Sequence, residues 1–542
     1  MKKIFSVTLL LLLFTVMTLP ARTLTGKVYA DNNPAAGVLV SDGDTIVPTD
    51  SKGGYNFESR SKKGYLFVIT PSGYEAKSGK GFQPDFWINL PEDTDEDSVN
   101  DFYLISRPQD NFSVIFTADT HLTDDPVKKD FTHYKNMVLP TAERIAAQKR
   151  KEGKSVYSVN LGDLSHDLYW YQNDTQVEKV VDFITEEGFP ALTYSVPGNH
   201  DNDPAVIGKK VDERAIRRYR RVLGPETYSV NIGNTHWIML DDIIYRNRPG
   251  KGKQAKGVAG DRSYKAGLTG SQFRWLTQDL RYVPDSMSVF ICCHIPLLNN
   301  GKTVTNFANP EQLDSLERML ERFGKVTVFS GHAHRNGYAE TDNFRQYVFT
   351  ATSGLMWETT NDFQTIGSDG SATGLWAADV RYGTLCGMDY YTYIDKDPLF
   401  RCYDLNSVGE YYSSSPSVRK FLETYPERTD YSDPKFRNMV YVNFWGDFPG
   451  RKVEILEEGK PLKVKKVRWE DPLFFISYYI PKMEADPNLF REKFRRKSNT
   501  HAYCARTSSP ESAITVNIYD NDGTLLQTES MERKKLFDKN AR

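Results

Sequence analysis

Phe189-Pro190-Ala191-Leu192-Thr193-Tyr194-Ser195-Val196-Pro197-Gly198-Asn199-His200-Asp201 joins a short apolar and aromatic run to a polar tetrapeptide. The run Phe189 to Val196 has the length and composition of a buried strand, and Pro197-Gly198 ends it. Asn199 and His200 therefore fall on the loop leaving the strand's C-terminal end, where open α/β sheets carry their ligands. An amide beside an imidazole is a poor basis for a core. The pair suits a site in which the amide oxygen binds a metal and the imidazole meets a substrate oxygen. Taken alone, Gly198 to Asp201 reads equally well as an Asn-containing turn with a capping residue.

The neighbouring segments extend the strand reading. Phe112 to Ala118, Ser155 to Leu161, Val289 to Cys293 and Val326 to Ser330 are further apolar strand candidates. Between them Thr141–Lys151, Val177–Glu187, Ser271–Arg281 and Glu311–Phe323 carry helical periodicity, which predicts an α/β layer architecture. Tyr228–Ile232 and His236–Leu240 flank Gly233-Asn234 as a hairpin. Each long strand is followed by groups that carry chemistry: Asp119 and His121; Asp163; Asn199 and His200; His294; His332 and His334. Of the nine histidines only His501 lies outside this region. Parallel strands bring their C-terminal ends together, so these five segments can converge. Carboxylates, imidazoles and an amide without sulfur select Zn, Mn or Fe. They are too many for one tetrahedral ion, whereas a carboxylate such as Asp163 can bridge two ions about 3.5–4 Å apart, an arrangement that activates water.

The flanks read differently. Lys2 and Lys3, the apolar Ile4 to Leu19 and the small Ala21 form an export signal, placing the mature chain from residue 22 in a bacterial periplasm, in the medium or on the cell surface. The apolar run is shorter than the ~20 residues of a membrane span, so no anchor is expected after cleavage. Residues 22–108 carry short strand signals and no His or Cys, and read as an immunoglobulin-like or transthyretin-like β-sandwich acting as a spacer or docking module. The central unit covers 109–345. Residues 346–542 read as a β-rich domain without helices. Lys and Arg (69) balance Asp and Glu (71), and no basic groove with interleaved aromatics is evident, so nucleic acid is not expected as a partner. Five cysteines form no disulfide framework. Cys292 and Cys293 read as small core residues, and a Cys386–Cys402 pair is left open. Oligomeric state is open too.

The five blocks Asp119-Thr120-His121, Gly162-Asp163, Gly198-Asn199-His200-Asp201, His294 and Gly331-His332-Ala333-His334, in this order, resemble the calcineurin-like metallophosphoesterases. The β-rich flanks, with segments such as Ser368–Gly374 and Ser508–Ser512, look like those of exported bacterial members. The resemblance implies an α/β (α+β) fold, a four-layer β-sandwich core flanked by helices. It implies two divalent or trivalent ions: Asp119, His121, Asp163 and His334 on one, and Asp163 as bridge with Asn199, His294 and His332 on the other. It implies hydrolysis of a small phosphorylated substrate by metal-activated hydroxide, with His200 as acid or transition-state stabiliser and Asp201 orienting it. Monoester and diester substrates are not separated by these motifs. A surface binding protein that has lost activity is the reading of another class, and the filled ligand positions argue against it.

One block departs from the protein Ser/Thr phosphatase branch, which follows its Gly-Asp with Asp-Arg-Gly. Here Asp163-Leu164-Ser165-His166-Asp167 lacks the arginine, which argues against a phosphoprotein substrate. His166 reads as a neighbour of the ligands, a substrate contact or a helix-start residue, and His133 and His236 as structural. Arg246, Arg248, Lys251, Lys253 and Lys256 decorate a Gly-rich loop. Asn299, Asn300 and Lys302 beyond His294, and Arg335 beyond His334, are the better-placed substrate contacts.

Overall fold

The computed structural model describes residues 21–78, 81–91, 98–250, 255–299, 306–307, 309–358, 366–394, 396–485, 499–531 and 533. The expected export segment, apart from Ala21, and Lys251, Lys253, Asn300 and Lys302 lie outside these residues.

Two sheets face each other at the centre. The first has the order Leu192–Ser195, Ser155–Asn160, Asn111–Thr117, Gly374–Arg381 and Thr384–Thr392; its first three strands are parallel. The second has the order Tyr228–Ile232, Thr235–Leu240, Ser288–Cys293, Val326–Ser330, Phe344–Val348 and Gly337–Glu340. Thr235–Leu240, Ser288–Cys293, Val326–Ser330 and Phe344–Val348 run parallel, and the expected hairpin of Tyr228–Ile232 with Thr235–Leu240 forms one edge.

The near-continuous apolar strands follow from burial on both faces. In Asn111–Thr117, Phe112, Val114 and Phe116 enter the core between the sheets, while Ile115 on the opposite face packs with Ile145 and Ala146 of helix Leu139–Lys151. Across the middle, the Phe116 and Phe329 rings lie 4.6 Å apart and Phe112 meets Trp237 at 6.4 Å. Helix Gly270–Asp279, opened by a Thr269/Gln272 capping box, and helix Pro310–Leu320, capped by Asn309, pack with the second sheet through Trp275, Leu276, Leu313 and Leu316. The four-layer order of helices, sheet, sheet and helices is present.

Two expectations are corrected. The central unit does not end at 345: Gly374–Arg381 and Thr384–Thr392 complete its first sheet, with Phe112 paired to Val380 and Phe116 to Trp376. These antiparallel closing strands carry the same local signals as a separate β domain, so composition alone places them on the wrong side. The C-terminal part is not free of helices. Beside its two four-stranded sheets stand Leu405–Ser414, Pro416–Thr424 and a helical run from Pro472 to Ala485. Their starts, Ser415-Pro416 and Asp471-Pro472, are N-cap and first-turn proline pairs. All five cysteines are free, so Cys386 and Cys402 do not pair, and Cys292 and Cys293 are buried.

The N-terminal β domain is no loose spacer. Its Phe67 and Phe86 share one apolar core with Tyr228 and Trp275, and Trp275 Nε1 donates to Ser41 Oγ at 3.0 Å. Its Tyr65 hydroxyl donates to Glu226 at 2.9 Å, and Arg220 grips that carboxylate through both oxygens at 2.9 and 2.8 Å. Burial opposes the Glu226 charge, but Arg220 and Lys63 overcome it and bring its pKa down to about 2. Arg220→Ala is expected to cost about 3–5 kcal/mol in denaturant unfolding, because it strands a buried carboxylate. A depressed pKa stabilises the fold above the ordinary value of 4.5 and loses that contribution as pH falls through about 2. The stability advantage of wild type over Glu226→Gln should shrink across that window.

Candidate metal centre

The five polar blocks leave adjacent strand ends and meet on one edge of the two sheets. Their backbones are unusual. Asp119, His121, Asp163, His332 and His334 all adopt left-handed φ, between 49° and 63°. Such conformations cost about 1–3 kcal/mol each and persist where surroundings enforce them, typically at functional sites. Glycines permit the close approach: a Cβ on Gly198 would lie 2.1 Å from Asp163 Oδ1, and one on Gly331 would lie 2.6 Å from Asp119 Oδ2.

Ligand-type atoms form four overlapping groups, two of which flank Asp163 and hold most of the expected ligands. Those of Asp119, His121 and His334 lie within 4.8 Å of one another, as do those of Asp163, His294 and His332. In the first group His121 Nε2 and His334 Nε2 are 3.1 Å apart, and His334 Nε2 is 3.2 Å from Asp119 Oδ1. In the second, His294 Nε2 is 3.1 Å from Asn199 Oδ1, 3.1 Å from His332 Nδ1 and 3.2 Å from Asp163 Oδ2. One Asp163 oxygen accepts from the His200 backbone at 2.7 Å; the other faces His294 and, at 3.8 Å, His121. Asp163 thus stands between the groups.

This arrangement fits a pair of cations. Asp119 Oδ1 is buried and accepts no hydrogen bond. His294 Nδ1 donates to the Leu161 carbonyl at 2.8 Å, which fixes the tautomer and leaves Nε2 bare against the Asn199 oxygen. Electron-rich atoms at such spacing repel unless a positive charge lies among them. Protonation is the alternative source of that charge: burial works against it, yet Asp163 raises His294 to about 10. Burial likewise opposes the Asp163 charge, but His294, His200 and His121 hold its carboxyl well below the ordinary range. Burial and the neighbouring His294 lower His332 to about 4, so its imidazole is neutral and available as a ligand.

Residues 112–336 match the model of the calcineurin-like phosphoesterases, and residues 22–107 match that of the N-terminal domain of calcineurin-like phosphoesterases. The chain belongs to this family. It is a hydrolase of phosphoric ester bonds. Among similar proteins, serine/threonine-protein phosphatase CPPED1 of Homo sapiens is 22% identical over 271 residues, covering 48% of this chain and 78% of that protein. A dimetal phosphatase from Danio rerio is similar at 14% identity and TM-score 0.34, covering 52% of this chain and 96% of its own. Purple acid phosphatase PPD1 from yellow lupin (Lupinus luteus) is similar at 12% identity and TM-score 0.35, covering 69% and 72%.

In this phosphoesterase His200 adjoins the ligand groups, its ring within 4.8 Å of ligand atoms of His121 and Asp163. Its Nε2 is 3.9 Å from Asp163 Oδ2, and its Nδ1 is 2.6 Å from Asp167 Oδ1. Arg262 donates to both Asp167 oxygens at 2.6 and 2.7 Å, and its Nη2 lies 2.9 Å from His200 Nδ1. Burial lowers His200, but Asp163 and Asp167 outweigh it and raise its pKa. The expectation that Asp201 orients His200 is therefore corrected. Asp201 instead accepts from Gly198 N at 2.9 Å and from Ser165 N and Oγ at 3.0 Å, tying the Gly-Asn-His loop to the Gly-Asp loop. Asp167 and Arg262 were not legible as partners of His200, because Arg262 arrives from a loop 95 positions after Asp167. An arginine thus reaches this block from far along the chain, although none follows the Gly-Asp locally.

His166 is buried with its ring 4.5 Å from that of His200 and 5.1 Å from that of His121, and it also precedes the short turn Asp167–Tyr169. Arg335 and Asn299 line a cavity beside His332. His236 is structural, held between Asn231 at 2.8 Å and Asp279 at 2.9 Å, and His133 stacks on Trp357.

Exchanging the two aspartates tests this division. Asp167→Asn should reduce turnover about 10²-fold and leave little further loss when combined with His200→Ala, since the two act as one unit. Asp201→Asn should chiefly lower the unfolding midpoint. Steady-state kinetics on the single and double variants, with thermal unfolding, read both.

Proposed function

We propose that this chain is an exported phosphoesterase that hydrolyses small phosphate esters, with Asp119, His121, Asp163 and His334 holding one ion and Asp163, Asn199, His294 and His332 the other. The observation that carries this reading is the position of Asp163 Oδ2, which faces His294 of one group and His121 of the other. Ions bound there supply a nucleophile near neutral pH and neutralise charge on the phosphoryl oxygens.

The chain's own residues do the rest. Asp167 accepts from His200 Nδ1, which directs Nε2 toward the ligand groups as a proton donor to the departing ester oxygen. Arg262 holds Asp167 in place through two charge-assisted hydrogen bonds. Asp201 fixes the spacing of the loops that carry Asp163 and Asn199. Every position of the ligand set carries a coordinating side chain, which supports hydrolysis over a role in binding alone. The cavity beside His332, about 360 Å³, suits a small substrate. Export rests on the basic and apolar opening from Met1 to Ala21. Within the described residues no helix is long and apolar enough to cross a membrane.

Metal-stripped protein reloaded with Mn or Zn and offered an aryl phosphate and a bis-aryl phosphate tests the reading. Turnover is expected to return with the metal, and the relative kcat/KM of the two esters assigns monoester or diester preference. His200→Ala should lower kcat about 10²–10⁴-fold. A folded, metal-loaded protein that cleaves neither ester would support a binding role instead.

A further inference from the structure

Arg335 is a cation beside the centre whose guanidinium is left incompletely satisfied. It directly follows His334 and lines the cavity beside His332, whose walls include Tyr264, Ile295, Leu298 and Asn299. Its Nε is buried without a hydrogen-bond partner, and among the described residues its guanidinium forms no ion pair with a carboxylate. Arg218, Arg220 and Arg262, also packed within this domain, each grip an acid. A partly buried, unpaired guanidinium is costly unless an anion completes it.

The loop that carries Arg335 is clamped on both sides. His332 N donates to Asp119 Oδ2 at 2.8 Å, Ser368 Oγ donates to the His334 carbonyl at 2.9 Å, and Asn336 N donates to Asp369 Oδ2 at 2.8 Å. Asp369 is itself held by His501 of the C-terminal domain at 2.9 Å. The backbone position of Arg335 is thus set before a ligand arrives, which lowers the ordering cost of binding. Ile295 and Leu298 give the same cavity apolar wall, and the Tyr264 hydroxyl, 3.4 Å from His332 Nε2, adds a polar group toward the metal ligands.

We propose that this cavity receives the organic part of the ester and selects substrates in which that part is a compact apolar body ending in a second anion, held by the Arg335 fork. Arginine has only donors, arranged to match the paired oxygens of a carboxylate or a phosphate, so a neutral tip is not favoured. The inference rests on the phosphoesterase reading and names its substrate class: esters carrying one anion at the reacting phosphate and another at the far end.

Matched aryl esters test it. Phenyl phosphate, 4-carboxyphenyl phosphate and hydroquinone bisphosphate are compared on metal-loaded wild type, Arg335→Ala and Arg335→Lys. Wild type should prefer one of the doubly anionic esters by about tenfold or more in kcat/KM, the gain of one charge-assisted contact, and the preferred ester distinguishes carboxylate from phosphate. That ratio, internal to each variant, should fall to near one in Arg335→Ala and lie between in Arg335→Lys. Calorimetric binding of 4-carboxyphenylphosphonate against phenylphosphonate supplies a readout without turnover. Discrimination in binding that is lost in Arg335→Ala, with no hydrolysis of any ester, would refute the hydrolase reading and keep the pocket. Equal binding and equal kcat/KM of singly and doubly anionic compounds in wild type, or a preference that survives Arg335→Ala, would overturn the proposal.

Discussion

The carboxylate of Asp163 lies where two groups of imidazoles and carboxylates meet, and much of the surrounding architecture serves to keep it there. One of its oxygens is fixed by the His200 backbone, its own φ is left-handed, and Gly198 leaves it room by having no side chain. A buried acid so close to His294, His200 and His121 is stable only with positive charge nearby. Cations held by these residues would supply that charge. Catalytic geometry and the electrostatic cost of folding are therefore aspects of one constraint.

The rest of the fold supplies rigidity. Two sheets present parallel strand ends side by side, so loops distant in sequence arrive together without long connections. The N-terminal domain shares an apolar core with the second sheet, and the C-terminal domain reaches the Gly-His-Ala-His loop through Asp369 and His501. Five strained residues at one edge need such support, because each would relax in a softer surrounding.

What could be read in the sequence follows from how local each signal is. The ligand set was legible because each member sits within a few residues of an apolar strand, and the order of the blocks matches a family. The hairpin Gly374–Arg381 and Thr384–Thr392 was not legible as part of the central unit, since the pairing of Gly374–Arg381 with Asn111–Thr117 spans more than 250 positions and leaves no local trace. The helices after Ser415 and Asp471 carried capping signals that the surrounding β pattern outweighed. Asp167 and Arg262 escaped for the same reason as that hairpin: their pairing is tertiary. Asp201, adjacent to His200 in sequence, points instead to Ser165 and Gly198, so adjacency along the chain was a poor guide to contact.

Metal stoichiometry addresses the central role of Asp163 most directly. After equilibrium dialysis against Mn or Zn, elemental analysis of wild type should find two ions per chain and His200→Ala should retain both. Asp163→Ala should lose both, because the bridge belongs to each site. Two ions retained in Asp163→Ala, or a single ion in folded wild type, would contradict the account.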